Sequence, residues 1–397
     1  MAGRRRASGA RMVVTLCLLL VSLVGCGGRS ATDGTQAEVQ RLLDRRAEAI
    51  LDRDQAAFLR TGARDWFGNL RAVPLADWSY RLTTLRRTGD TATAEAELRY
   101  RVQGYDRAPV SAGRTLSLRQ DASGGWYIEA ERPAKGSAEQ LWDQGRVGLA
   151  RGEHSLVLGV GQSAAQLRSY AELADDAVPA VSQAWGTDWP RHIVVLVPDS
   201  LADMAGLLGS PESAYRGIAA VTTGETGAPA SAPADRIIVN PDAYGVLGGS
   251  GRQVVLTHET THVATRVHTT AATPLWLSEG YADWVGYLGS GRSPSQVAPE
   301  LGRVVSEGRP PQTLPSDADF GFTGDSGRLA RAYESGWMAC RMIAERWGEV
   351  RLVEFYRAVG AHERRAGAVE DALKDVLGTS LEDFTARWQQ YLSAQLG

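Results

Sequence analysis

Cysteine is scarce, with three in 397 residues, and this excludes a disulfide framework. Cys17 and Cys26 lie in and just after an N-terminal leader, which leaves Cys340 as the only thiol of the folded part. On a helical pattern Cys340 reads as a buried, small apolar residue. Lysine is almost absent: only Lys135 and Lys374 occur, and nearly every basic residue is arginine. With the richness in alanine and glycine, this reflects coding bias rather than function. A basic surplus is missing as well. The whole chain carries −3; the four arginines before Cys26 meet no acid there, so from Cys26 onward 39 basic groups face 46 acidic ones, a net −7. A nucleic-acid binder shows the opposite balance. The N-terminal apolar run, Met12 to Val24, has 13 residues, short of the roughly 20 that a spanning helix needs. What is present is ordinary for a folded chain, with 43% hydrophobic and 22% charged residues. The length suits about two to three domains with a sizeable core in each of two.

Arg4, Arg5, Arg6 and Arg11 precede the apolar run and complete the pattern of a secretory signal over residues 1–25. The run ends Leu23-Val24-Gly25-Cys26, which resembles a bacterial lipobox. That resemblance implies diacylation of Cys26, export, and tethering of the N-terminus at the outer face of the cytoplasmic membrane. Two or three acyl chains make such an anchor stable, since each buried methylene contributes about 0.8 kcal/mol.

Residues 26–35 are small and polar and read as a tether. From Gln36 the apolar residues Val39, Leu42, Leu43, Ala47, Ile50, Leu51 and Phe58 recur at helical spacing. Strand-like alternation follows at Trp78–Leu82 and Ala94–Val102, with further strands at Arg114–Leu118 and Trp126–Ile128 around an Asp-Ala-Ser-Gly-Gly turn. A helix followed by strands predicts an α+β domain over 36–135, a helix on a curved sheet. Its order of elements resembles nuclear-transport-factor-2-like and cystatin-like domains. Glu131 to Ser137 reads as a linker. A second, mainly helical domain with a small sheet then covers 138–397. Its helical patterns include Gln162–Trp185 and everything mainly from Gln253 onward; Ile193–Val197 and Arg236–Asn240 are strands. Thr379-x-x-Glu382 reads as a capping box for the last helix.

Thr257-His258-Glu259-Thr260-Thr261-His262-Val263 contains H-E-x-x-H. On a helix, positions i and i+4 share a face, so both imidazoles can reach one ion. Val254, Val255, Val263 and Val267 supply an apolar side for that helix. A second helix begins at Pro274 and carries Trp276-Leu277-Ser278-Glu279-Gly280-Tyr281-Ala282-Asp283-Trp284. This pair of segments resembles the gluzincin pattern of the peptidase MA-like zinc metallopeptidases, the thermolysin-like clan: H-E-x-x-H, then W-L-x-E-G-x-A some twenty residues on. The likeness is strong over Val254–Trp284 and one of element order elsewhere in 138–397.

The resemblance implies one catalytic Zn2+ held by His258, His262 and Glu279 with a water in the fourth position. Asp283, one turn beyond Glu279, matches the acid that accepts the spare N–H of a ligand imidazole, His258. Glu259 is then the general base that takes a proton from the zinc-activated water and passes it to the leaving amine. Tyr333 matches an oxyanion donor from a Tyr-x-x-Ser segment, although here the tyrosine is one residue closer to Ser335; Tyr281 is a rival. The strand Arg236–Val239 matches the edge strand that pairs with substrate, or else is an interior strand.

His154, His192, His268 and His362 have no ligand-spaced partner and read as surface residues, and Trp276 and Trp284 read as core. Thr257, Thr260 and Thr261 are poor helix formers, so packing and metal must hold the motif helix. Thr222–Asp235 and Gly308–Asp325 read as loops able to cover a cleft. Two functions compete: a membrane-tethered extracytoplasmic zinc peptidase acting on a peptide or protein, and a surface-anchored scaffold that holds zinc without turnover. An acid at 259 that is not a ligand has a use only in the first.

Overall fold

The computed structural model describes residues 31–62, 66–224, 227–229, 231–321 and 326–397, with only the backbone for 31–33. The leader, the lipobox and Cys26 lie outside the described residues. Among the described residues, no helix is long and apolar enough to cross a membrane. The architecture is mixed α and β, with two sheets.

The first unit opens with a helix, Ala31–Leu51. It starts within the segment expected to be a tether, and Thr35 is already buried. Its face of Val39, Leu42, Leu43, Ala47 and Ile50 is buried in one cluster with Trp78, Leu98, Leu116 and Ile128 of the sheet. That sheet is an antiparallel meander in the order β1 (Leu75–Thr88), β2 (Thr91–Val102), β3 (Val110–Gln120), β4 (Trp126–Pro133).

The expected linker is corrected at its start: Glu131 belongs to β4 and is the hub of a buried charge network. It pairs with Arg46 at 3.1 Å and Arg114 at 3.2 Å, and these three side chains are all but excluded from solvent. It also accepts from the Tyr80 hydroxyl at 3.0 Å. Arg114 grips Asp143 with two 2.8 Å bonds. A pattern of alternating charges cannot reveal this, because Arg46, Arg114 and Glu131 come from three distant segments. Removing the hub leaves two guanidiniums buried without their counter-charge, a loss of about 3–5 kcal/mol. Glu131→Ala is therefore expected to unfold at markedly lower urea concentration than wild type; an unchanged midpoint would mean the network is energetically neutral.

The second sheet has five strands where the sequence revealed two. Its order is β5 (Gly148–Arg151), β6 (Ser155–Gly159), β7 (Ile193–Val197), β9 (Arg236–Val239), β8 (Ala220–Thr222). β6, β7 and β9 are parallel, and β8 runs antiparallel to β9. Parallel strands covered on both faces read as continuous apolar runs, as Ile237, Ile238 and Val239 do; all three are buried. Arg236–Val239 is thus an interior strand, and the edge is the three-residue β8.

β6 also joins the two units. Leu156 and Leu158 pack in the cluster of the first unit, whereas Val157 points the other way, to the helix Ala164–Trp185. Trp142 seals the junction, with its ring 5.3 Å from Trp78 and 4.9 Å from Tyr100. The remaining helices form a separate core around Trp276, Leu277, Tyr281, Trp337, Phe355 and Trp388, with Cys340 fully buried among them. The last helix, Leu381–Leu396, is capped by Ser380, whose hydroxyl accepts from the Asp383 amide at 3.0 Å, rather than by Thr379.

Candidate active site

The motif lies on the helix Gly249–Thr265. Its threonines are poor helix formers because their branched side chains lose rotamer freedom against the preceding turn. Here Thr260 donates to the Leu256 carbonyl at 2.7 Å and Thr261 to the Thr257 carbonyl at 2.8 Å. Both side chains are buried, so tertiary packing overrides the propensity. The apolar side differs from the expectation in one place: Leu256 is fully buried, whereas Val267 is 50% exposed beyond the helix end.

The second helix, Leu275–Tyr287, crosses the helix Ser326–Trp347 at a glycine pair. A Cβ on Gly280 would lie 2.3 Å from the carbonyl carbon of Gly336, and one on Gly336 would lie 2.5 Å from the Trp276 oxygen. Only glycine permits this approach, which sets Glu279 beside Tyr333. Both Glu279 and Tyr333 line the cleft that holds the motif.

His258, His262 and Glu279 converge. Their facing atoms form a triangle with edges of 3.1 Å between the two Nε2 atoms and of 3.3 and 3.4 Å from each Nε2 to Glu279 Oε2. A tetrahedral ion with bonds of about 2.0–2.1 Å has ligand edges of about 3.3–3.4 Å, so the spacing fits zinc. The donor chemistry fits as well. His258 Nδ1 lies 2.8 Å from Asp283 Oδ1; donation there leaves a bare lone pair on Nε2, aimed at two other electron donors. A cation at the centre resolves that conflict. Without a cation the site draws in protons in its place: burial alone would favour neutral imidazoles, but Asp283 and Glu279 raise His258 well above the usual value, and Glu279 raises His262. Burial likewise opposes the Glu279 carboxylate, yet the two histidines hold it far below the ordinary range.

Glu259 stands apart from the triangle. It is buried, and its Oε2 accepts from the Thr222 hydroxyl at 2.6 Å. Thr222 ends β8, so the sheet edge and the motif helix meet at this bond. The sequence held no signal for Thr222, which sits in a stretch rich in glycine, alanine, proline and serine. A cleft of about 380 Å³ is lined by Thr222, His258, Glu259, His262, Glu279 and Tyr333, with Asp235 and Arg266 on its rim. Burial pushes Tyr333 well above the usual phenol value, and the nearby carboxylates add to this. Tyr281, the rival donor, is fully buried elsewhere and donates to the Ala184 carbonyl at 3.2 Å.

The other histidines stay outside the site. His192 lies edge-on to Tyr105, His268 packs half-buried against Trp185, His154 is near Glu153 and His362 near Asp371. Trp276 and Trp284 are buried in the helical core.

No protein-family model and no curated protein matches the chain. Among solved structures it is similar to a two-domain M1 zinc metallopeptidase mutant bound to L-arginine, with 11% identity, 78% of this chain and 92% of that one covered, and a TM-score of 0.37. It is also similar to native yeast LTA4 hydrolase, with 10% identity, 81% and 60% covered, and a TM-score of 0.36. A third is an M1 zinc metallopeptidase mutant of Deinococcus radiodurans bound to a Tyr-Ser-Ala substrate, with 11% identity, 80% and 94% covered, and a TM-score of 0.34. Two of the three are zinc metallopeptidases by name, but likeness at this distance carries no weight for the activity. The side chains of the cleft have to carry it.

Proposed function

We propose that the chain is a zinc-dependent peptidase, exported and tethered by a lipidated Cys26 at the outer face of the cytoplasmic membrane. The observation that carries this reading is the triangle of His258, His262 and Glu279, spaced for a tetrahedral ion, with a buried carboxylate beside it that is not part of it. A scaffold would need the first and have no use for the second.

His258, His262 and Glu279 would hold the zinc, which would supply Lewis acidity to make the attacking water acidic near neutral pH. Glu259 takes the proton from the attacking water and delivers it to the leaving nitrogen. Asp283 fixes the ring of His258 and keeps its Nε2 lone pair turned to the metal. Tyr333, which lines the cleft with Glu279, is the donor to the oxygen that gains charge as the carbonyl is attacked. β8, with its outer edge free of other strands among the described residues and with Val221 and Thr222 half-buried along the cleft, pairs with the substrate backbone.

Thr222 is a positioning residue in this scheme. Its bond occupies one oxygen of Glu259 and orients the other. A hydrogen bond to a charged group contributes about 1.5–3 kcal/mol, so Thr222→Val is expected to lower kcat by about 10- to 100-fold with KM and zinc content little changed. Thr222→Ser restores most of the loss. Equal activity of the valine and serine variants would remove Thr222 from the account.

The proposal is tested by cleavage of an unbiased peptide library, read by mass spectrometry, with Glu259→Gln as control. Cuts made by wild type alone support a peptidase. A zinc-loaded wild type that makes no cuts favours a zinc-holding scaffold instead.

A further inference from the structure

A second cavity, of about 540 Å³, lies between the two units. Val73, Val102 and Val110 of the first unit face Leu158, Leu196 and Ile238 of the second across it. The metal cleft and this cavity share a wall made of Thr223, Gly224, Asp235 and Arg266. In that wall Asp235 and Arg266 form a 2.6 Å ion pair, so the shared lip carries no net charge.

The first unit also holds the wall in place. Asp106, which follows β2, is buried and accepts from three groups: its own Val102 amide at 2.7 Å, the Ala234 amide at 3.1 Å and Arg236 Nη2 at 2.8 Å. Ala234 and Arg236 flank Asp235. One carboxylate of the first unit therefore sets the rim of the metal cleft in the second.

β8 points from one space to the other. Thr222 bonds to Glu259, and the next two residues, Thr223 and Gly224, belong to the shared wall. Thr223 and Gly224 follow the end of β8, and two residues cover at most about 7 Å. A peptide paired along this edge reaches the apolar cavity about two to three residues from the metal.

We propose that the interdomain cavity is a specificity subsite for one apolar side chain of the peptide substrate, built jointly by both units. It rests on the peptidase reading of the metal cleft. The first unit is then part of the substrate site and not a spacer. The occupant follows from continuity: the cavity borders the cleft through an electrically neutral wall and offers valine, leucine and isoleucine, while its other charged groups are engaged, Arg236 by Asp106 and Glu139 by the Gln144 amide. Burying one such side chain is worth about 10-fold or more in affinity.

The test uses full-length Glu259→Gln protein and fluorescent peptides that differ only in where a single Leu or Trp replaces Ser. Binding is read by anisotropy, and the same peptides are offered to wild type for cleavage. One position should favour the apolar residue about 10-fold or more. Val110→Trp, which fills the cavity from the half-buried start of β3, should abolish that preference. Val110→Ala, which enlarges it, should shift the preference from Leu toward Trp. If Val110→Trp does not fold, Leu207→Trp fills the cavity from the opposite wall. Absence of binding, or a preference indifferent to these changes, overturns the subsite. Peptides bound with the Val110-dependent preference but never cut by wild type overturn the peptidase reading and leave the subsite standing.

Discussion

Glu259→Gln protein is expected to bind zinc as wild type does and to hydrolyse peptides about 100- to 10,000-fold more slowly, the usual range for losing a general base. The amide keeps the size of the side chain and can still accept from the Thr222 hydroxyl, so the helix and the sheet edge stay joined. It cannot take a proton. The ligand triangle does not include Glu259, whose oxygen is committed to Thr222 at 2.6 Å, so metal affinity has no reason to change. Elemental analysis and single-turnover kinetics on the same preparation check both halves. Loss of zinc would mean that Glu259 is a ligand; retained activity would mean that the base is another group.

Glu279→Ala has the other large effect. It removes one of the three converging donors and leaves His258 and His262 with their Nε2 atoms 3.1 Å apart and no carboxylate to complete the set. Zinc affinity is expected to fall by more than the 10- to 100-fold typical of losing an outer partner of a ligand. Folding stability should follow. Metal at a thousand times its Kd adds about 4 kcal/mol to the native state, and the motif helix is rich in threonine, whose intrinsic helix preference is poor. Glu279→Ala should therefore melt several degrees lower than zinc-loaded wild type and close to chelator-treated wild type. A variant that keeps stoichiometric zinc at low micromolar free metal would show that Glu279 is not the third ligand.

The parts of the site that were legible in the sequence are those set by local geometry. His258, Glu259 and His262 lie within five residues on one helix, where the turn alone brings i and i+4 together. Glu279 and Asp283, one turn apart on the next helix, came from the resemblance to the gluzincin pattern and not from local geometry. Parts set by chain crossings were illegible. Thr222 sits in a three-residue strand without periodicity, and only the sheet brings it to Glu259. The same absence of pattern let Arg236–Val239 stand as a possible edge strand, when its unbroken apolar run suits a strand flanked on both sides. Gly280 stood in the motif, but its close approach to Gly336 is set only by the crossing of their helices. The junction of the units was hidden for the same reason. Glu131 read as part of a linker and Asp106 had no reading of its own, yet each is a buried acceptor for groups from distant segments.

The most direct test of the central claim is a zinc titration. Wild-type protein is stripped with a strong chelator, freed of it, and given zinc in sub-stoichiometric steps while hydrolysis of one susceptible peptide is followed. The account predicts no hydrolysis at the start, a linear rise, and a plateau at one zinc per chain. Full activity of the stripped protein, or a chain that takes up its zinc and cuts nothing, would contradict it.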